Sequence, residues 1–382
     1  MHLQHQNIAI IGGGVGGLAL ANALELRGIS SRVYEAAPEL THLGGGLIMA
    51  PNSLQVLEEL GLEFTAVVYG IPLDQMVIFD ANGQVLYRRL QSEVAPHFGG
   101  RGLMGMPRAE LHRALAEYLP AGTVQTGYRL TELENGYSEV KARFAGGQSL
   151  TADLLIGADG RDSRVRELLY PETRLVHTGD VAYRGVTTLL PDAPLRDAFA
   201  EYWGPGLRFT LFRMAEGLTY WHAPVQQGEY DPRLGRAELL QCFRHFPAQV
   251  QRLIESTPEE RISALALRDL SPLPDWWSRR TVLVGDAAHA TSPNLGQGAA
   301  QALEDVAALA ACLAAEPDRA AALTRYQQLR EGTANAAVAN ARAFGEIGRK
   351  RGLGRLARNV ALAFNPDLAR RRVEAFYGDH HR

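Results

Sequence analysis

The sequence predicts an α/β fold in which a parallel-sheet domain, built from separated segments, is interrupted by a β-rich insertion and closed by C-terminal helices. Three observations predict it. Short apolar runs at Asn7–Ile11, Asp153–Ala158 and Thr281–Gly285 read as parallel strands covered on both faces. Alternating stretches rich in Phe, Tyr, Trp and Thr, at Leu73–Leu90 and Val181–Val225, read as antiparallel sheet. An Ala-rich stretch from Gln297 to Phe344 reads as helix, with one break near Glu316-Pro317.

The remaining elements follow in order. Val15–Leu26 has helical spacing that ends near Gly28, and Ser31–Tyr34 is a second short strand. Ser53–Leu60 and Arg108–Leu119 read as helices, the latter preceded by Pro107. Residues 1–70, 100–180 and 275–346 would then form one discontinuous nucleotide domain. Residues 71–99 and 181–274 would form a substrate-binding sheet domain, and 347–382 a basic helical tail with nine Lys/Arg against three Asp/Glu.

Composition narrows the function. The 382 residues are 46% hydrophobic with a formal net charge of -3, which gives no reason to expect nucleic acid. Two cysteines, Cys242 and Cys312, are too few for a disulfide scaffold or an iron–sulfur cluster. Ile8–Leu24 is apolar, but glycines interrupt it and no Lys or Arg precedes it, so it is neither a secretory signal nor a membrane span. A cytoplasmic protein is expected.

Gly12-Gly13-Gly14-Val15-Gly16-Gly17 contains G-x-G-x-x-G between a strand and a helix. Gly12 suits the tight turn, Gly14 close approach of a pyrophosphate, and Gly17 helix–strand packing. The helix N-terminus offers free N–H groups to phosphate. Glu35 follows Gly17 by 18 residues, where a carboxylate would accept from a ribose hydroxyl. This is a Rossmann-type dinucleotide site, and the fingerprint alone does not separate NAD from FAD.

Two later segments do. Leu154-Leu155-Ile156-Gly157-Ala158-Asp159-Gly160 is a buried-type strand ending in Asp-Gly. Val282-Leu283-Val284-Gly285-Asp286-Ala287-Ala288-His289 ends in Gly-Asp and leads to Pro293-Asn294-Leu295-Gly296-Gln297-Gly298. With these motifs in this order, the chain over about residues 7–345 resembles the single-component (group A) FAD-dependent monooxygenases, the p-hydroxybenzoate and salicylate hydroxylase family.

The resemblance implies a glutathione-reductase-like FAD domain. It implies that Asp286 bonds the ribityl chain, that Asp159 lies in a segment serving flavin and nicotinamide, and that Arg108 reaches the ribityl–phosphate region. Pro293, Gly296, Gln297 and Gly298 would approach the flavin ring, with a helix dipole favouring negative charge on it. NADPH or NADH would reduce the FAD, and O2 would add at the flavin C4a carbon to give a hydroperoxide that hydroxylates an aromatic or polycyclic small molecule. Isoprenoid epoxidation, Baeyer–Villiger insertion, inactivation of a tetracycline-type drug and a non-oxygenating flavin sensor remain alternatives.

The inserted sheet supplies substrate candidates. With period two, Arg208, Thr210 and Phe212 share one face, as do Tyr220 and His222 on the next strand. Arg184 and Asn294 complete the substrate set, and Arg208, His222 and Tyr220 are the catalytic candidates. Some salicylate-type relatives carry His and Tyr where this chain has Arg208 and Phe212; an arginine there resembles a urate-hydroxylase-like branch, which has an acid at the Asn294 position. No metal is expected: Cys242 and His245 stand alone as C-x-x-H, and His2, His5, His380 and His381 lie at the ends. Ser163 reads as a helix cap. The tail arginines Arg349, Arg351, Arg355 and Arg358, with Lys350, suit either anionic lipid or acidic patches on the body. The chain would act as a monomer or homodimer.

Overall fold

The computed structural model describes residues 7–40, 45–227 and 233–364; the terminal histidines His2, His5, His380 and His381 and the tail beyond Phe364 lie outside them. Ile8–Ile11 is the pivot of a six-stranded sheet, pairing in parallel with Leu154–Gly157 on one side and Ser31–Glu35 on the other. Thr281–Leu283 extends the first side and Val124–Thr126 the second, both in parallel, while Trp277–Ser278 adds a short antiparallel edge. The apolar runs are continuous because both faces are covered: every residue of Ile8–Ile11 and Leu154–Gly157 is buried. Burying each large side chain there contributes roughly 1.5–3 kcal/mol.

A seven-stranded sheet forms the second layer system. Its order is Ser263–Leu270, Leu175–Thr187, Leu218–Gln226, Arg208–Met214, Ala198–Trp203, Gln75–Asp80, Val85–Leu90. The sequence predicts antiparallel pairing throughout, and one pair differs: Ala198–Trp203 runs parallel to Gln75–Asp80. That pairing joins strands more than a hundred residues apart, so no hairpin constrains its direction. The strand predicted to begin at Val181 begins at Leu175, with its register shifting between His177 and Val181.

The sheet has two unlike faces. On one, Phe209, Leu211, Trp221 and Tyr202 form a core with Leu239, Phe243, Val250 and Leu253 of the helices Arg236–Cys242 and Ala248–Glu255. The other carries Glu201, Trp203, Arg208, Thr210, Phe212, Tyr220 and His222, and meets the long helix Arg319–Gly348 through Phe344. The Ala-rich region splits as predicted, into Gly298–Ala315 and Arg319–Gly348. Among the described residues, Gly298–Ala315 is the one helix long and apolar enough to cross a membrane, and half of it is buried inside the protein.

The basic tail turns inward over its described part. Arg349 donates to Asp180 (3.1 Å), and Arg358 in the helix Gly352–Phe364 donates to the carbonyls of Trp203, Gly204 and Gly348 while lying over the Trp203 ring. These two arginines fasten the tail to the sheet domain and are not lipid-facing.

Candidate active site

The nucleotide half of the site is built from backbone. Gly12 adopts φ 109°, a left-handed value open to glycine, and a Cβ on Gly17 would stand 2.0 Å from the Gly12 carbonyl oxygen. Those two contacts close the turn between the first strand and the helix Val15–Glu25. Gly14 differs: a Cβ there meets nothing within 4 Å. The space its Cβ would enter is open at a helix N-terminus, where unpaired N–H groups suit a pyrophosphate.

Glu35, at the end of its strand, accepts from the N–H groups of Gly13 (2.7 Å) and Ala37 (2.8 Å). It therefore sits at the rim of the cradle, already oriented. His112 was not singled out from sequence; its Nε2 lies 2.6 Å from the Gly13 carbonyl and steadies the loop from the side. Arg108 opens its helix on the same side, its backbone N–H donating to the Gly45 carbonyl (3.0 Å) and its side chain exposed.

Asp159 and Asp286 lie at neighbouring strand ends, yet they are used differently. Asp159 accepts from the Ser163 hydroxyl (2.5 Å) and the N–H groups of Arg164 (2.7 Å) and Val165 (3.0 Å). All three bonds fasten the start of the helix Arg164–Leu169, so Asp159 shapes the segment through its turn. Ser163 caps that helix, accepting from Arg166 N–H. Asp286 accepts no hydrogen bond on its carboxylate from the described residues. Burial pushes its carboxyl up, against the pull of His289, Arg161, Arg108 and Arg166. A half-buried acceptor without a donor fits a ribityl hydroxyl.

Behind Asp286 stands a buried network that sequence reading missed. Asp305 accepts from Gly285 N–H (2.8 Å), from His289 Nε2 (2.6 Å) and from Arg330 Nε (2.9 Å). Burial raises the Asp305 carboxyl, but His289 and Arg330 outweigh it and hold it at about 2. Arg330 also pairs with Glu304, whose other oxygen accepts from Asn52, and Asn52 donates to Gln297 (3.1 Å). Thus one network holds both the Gly285-Asp286 turn and the Pro293–Gly298 loop. The signal in sequence was a carboxylate pair, Glu304-Asp305, inside an Ala-rich apolar helix.

That loop runs through a short helical turn, Pro293–Leu295, to Gly296 at φ 63°, and then to Gln297 at the start of Gly298–Ala315. Asn294 points away from the nucleotide half. Its Oδ1 accepts from Arg208, and its Nδ2 donates to Ser292 (2.8 Å) and to the Ala341 carbonyl (3.1 Å). Gly345 and Gly348 make room for this join: a Cβ on Gly345 would stand 2.6 Å from Asn294, and one on Gly348 2.5 Å from Arg208.

The substrate half is assembled by strand register. One row across the sheet places Arg184 opposite His222, His222 opposite Thr210, and Thr210 opposite Glu201. The adjacent row pairs Phe212 with Tyr220, rings 5.1 Å apart. These lie beneath Gly45 and Gly46, where added Cβ atoms would clash with both rings. On the far side Arg208 packs between the rings of Trp203 and Phe344. Arg208 is thus a buried cation held by Asn294, not a free one. Burial pushes the Tyr220 hydroxyl up to about 12 and, with Arg208 and Arg184, the His222 imidazole down to about 3. Neither group is poised as a general base near neutral pH.

Comparisons with known proteins give the family and the fold. A family model described as a FAD binding domain matches residues 5–341. The chain is 35% identical to aurachin C monooxygenase/isomerase of Stigmatella aurantiaca over 344 residues, 90% of this chain and 89% of that protein. It is 32% identical to 2-heptyl-3-hydroxy-4(1H)-quinolone synthase of Pseudomonas aeruginosa over 383 residues, 96% of each. HpxO of Klebsiella pneumoniae, solved with FAD and uric acid, superposes with a TM-score of 0.91 at 27% identity over 98% of each chain.

Proposed function

Because this chain belongs to the FAD-binding-domain family of single-component FAD-dependent aromatic monooxygenases, we propose that it hydroxylates an oxo-substituted nitrogen heteroaromatic with NADPH or NADH and O2. The substrate C–H becomes C–OH, the second oxygen atom leaves as water, and the nicotinamide is oxidised. The flavin supplies the redox and oxygen-activating chemistry when bound.

The residues present fit that group. Gly12, Gly14 and Gly17, with the helix N-terminus behind them, would hold the pyrophosphate; Glu35 would take the ribose, and Asp286 would accept from the ribityl chain with Arg108 nearby. Pro293, Gly296, Gln297 and Gly298 would meet the ring, where the dipole of Gly298–Ala315 would favour negative charge.

The observation that carries the substrate reading is the buried face of the seven-stranded sheet. A row of polar groups, Arg184, His222 and Thr210, lies between the aromatic pair Phe212/Tyr220 and the Arg208/Asn294 pair. A flat ring is gripped on its apolar faces while its edge heteroatoms meet donors and acceptors. Arg208 is desolvated and already bonded to the uncharged Asn294, which suits a ring oxygen on the substrate. Urate and a quinolone, named for HpxO and for one relative, are both oxo-substituted nitrogen rings.

The test is NADH and NADPH oxidation by the flavin-loaded protein with quinolones, hydroxypyridines, purines, hydroxybenzoates and isoprenoids, hydrogen peroxide being quantified alongside. Stimulation by nitrogen heteroaromatics with little peroxide is expected. Stimulation by hydroxybenzoates or isoprenoids alone overturns the substrate class.

A further inference from the structure

Two buried polar atoms on the substrate face have no hydrogen-bond partner among the described residues: His222 Nε2 and Arg184 Nε. They are neighbours, since Arg184 and His222 stand opposite one another on adjacent strands. His222 is 7% exposed, so water does not serve it freely, and an orphaned buried polar atom is costly. Of the other residues in the row, Thr210 donates to Glu201 (2.8 Å), and Glu201 also accepts from Trp203 Nε1 (2.8 Å). That carboxylate is spent. The nearby Asn294 oxygen is spent on Arg208.

The charges around His222 decide which role it is left with. Arg184 and Arg208 both act on it, and both side chains are donors only; with Arg208 bonded to Asn294, Arg184 is the one left to serve an acceptor on the substrate. They also keep the imidazole uncharged, so one ring nitrogen retains its lone pair. Within the row Arg184–His222–Thr210–Glu201, His222 Nε2 is therefore the acceptor left without any partner among the described residues.

We propose that His222 is a specificity-determining residue: its Nε2 accepts the ring N–H of a heteroaromatic lactam, direct or vinylogous, while Arg184 donates to the ring oxygen. The inference rests on the nitrogen-heteroaromatic reading above and sharpens it, because it requires an N–H and not merely a ring nitrogen. A ring without that N–H leaves Nε2 orphaned and is rejected, as sites built to hydrogen-bond a substrate group reject analogues lacking it.

The probes are 2(1H)-quinolone and 4(1H)-quinolone and their N-methyl derivatives, with binding to the flavin-loaded protein read by perturbation of the flavin spectrum. Wild type should bind at least one N–H ring about tenfold or more tightly than its N-methyl partner. His222→Leu should lose that preference and keep its flavin. His222→Gln, whose side-chain oxygen sits near the Nε2 position, should restore part of it. Equal binding of N–H and N-methyl rings by wild type overturns the inference, as does a preference that survives in His222→Leu; both leave the broader substrate class standing. Failure of all four rings to bind overturns the lactam assignment at its premise. Should His222→Leu fail to fold, the wild-type comparison and His222→Gln still decide the matter.

Discussion

The nucleotide cradle and the substrate face of the seven-stranded sheet solve the same problem, holding a flat ligand, by opposite means. The cradle is centred on one contiguous backbone turn, Gly12 to Gly17, to which the strand ends at Glu35 and Asp286 add carboxylates and the loop at Gly296–Gly298 adds more backbone. The substrate face is discontinuous and made of side chains from four strands, closed from above by a helix whose Gly345 and Gly348 admit Asn294 and Arg208. Backbone sites tolerate few residue types and leave motifs. Side-chain sites need only register and room, and leave almost none.

Substitutions should separate the two regions. The largest effect is expected at Gly17→Val, whose Cβ would collide with the Gly12 carbonyl; little folded protein should be recovered, by circular dichroism. Gly14→Val makes the instructive contrast, because its Cβ meets nothing: it should melt near wild type yet purify without flavin absorbance. A normal flavin spectrum would move the pyrophosphate elsewhere.

Next is Asp305→Ala, which removes the fully buried carboxylate that Gly285, His289 and Arg330 all bond and leaves Arg330 with Glu304 as its one carboxylate partner. Urea denaturation should show a loss of about 3–5 kcal/mol, with weaker flavin retention because Gly285 loses its anchor. A loss below about 1 kcal/mol would mean the network is dispensable.

The substrate face should report itself through pH. His222 is held below its ordinary value, to about 3, so between that pH and about 6.5 the unfolded chain binds a proton that the folded one refuses. Stability therefore falls as pH falls through this window, by up to about 1.4 kcal/mol per pH unit, or about 2 kcal/mol from pH 6.5 to 5. His222→Gln should flatten that part of the profile in thermal melts. An unchanged slope would place the titration in another group.

Gly348→Val should push Arg208 aside while leaving the cradle intact. We expect KM for substrate to rise about tenfold, about 1.4 kcal/mol, with flavin bound normally; loss of flavin instead would show that the two regions are not separable. Smallest is Ser163→Ala, which removes the cap bond to Arg166 N–H and should cost about 1 kcal/mol in stability without altering KM.

The same contrast explains what was legible beforehand. The strand–glycine–helix turn, the helix break at Glu316-Pro317 and the Ser163 cap are local, fixed by φ, capping and apolar runs within a few residues, and sequence alone determined them. It also determined that Phe212 shares a face with Thr210, and Tyr220 with His222, because strand periodicity is strict. Which strands would be neighbours was not local. The parallel pairing of Ala198–Trp203 with Gln75–Asp80, the row Arg184–His222–Thr210–Glu201, and the inward turn of Arg349 and Arg358 depend on chain segments far apart meeting in one core. Only the tertiary structure decided that Arg208 is bound to Asn294 while His222 Nε2 has no partner among the described residues. A side chain's partners are set by what packs against it, and no period in the sequence records that.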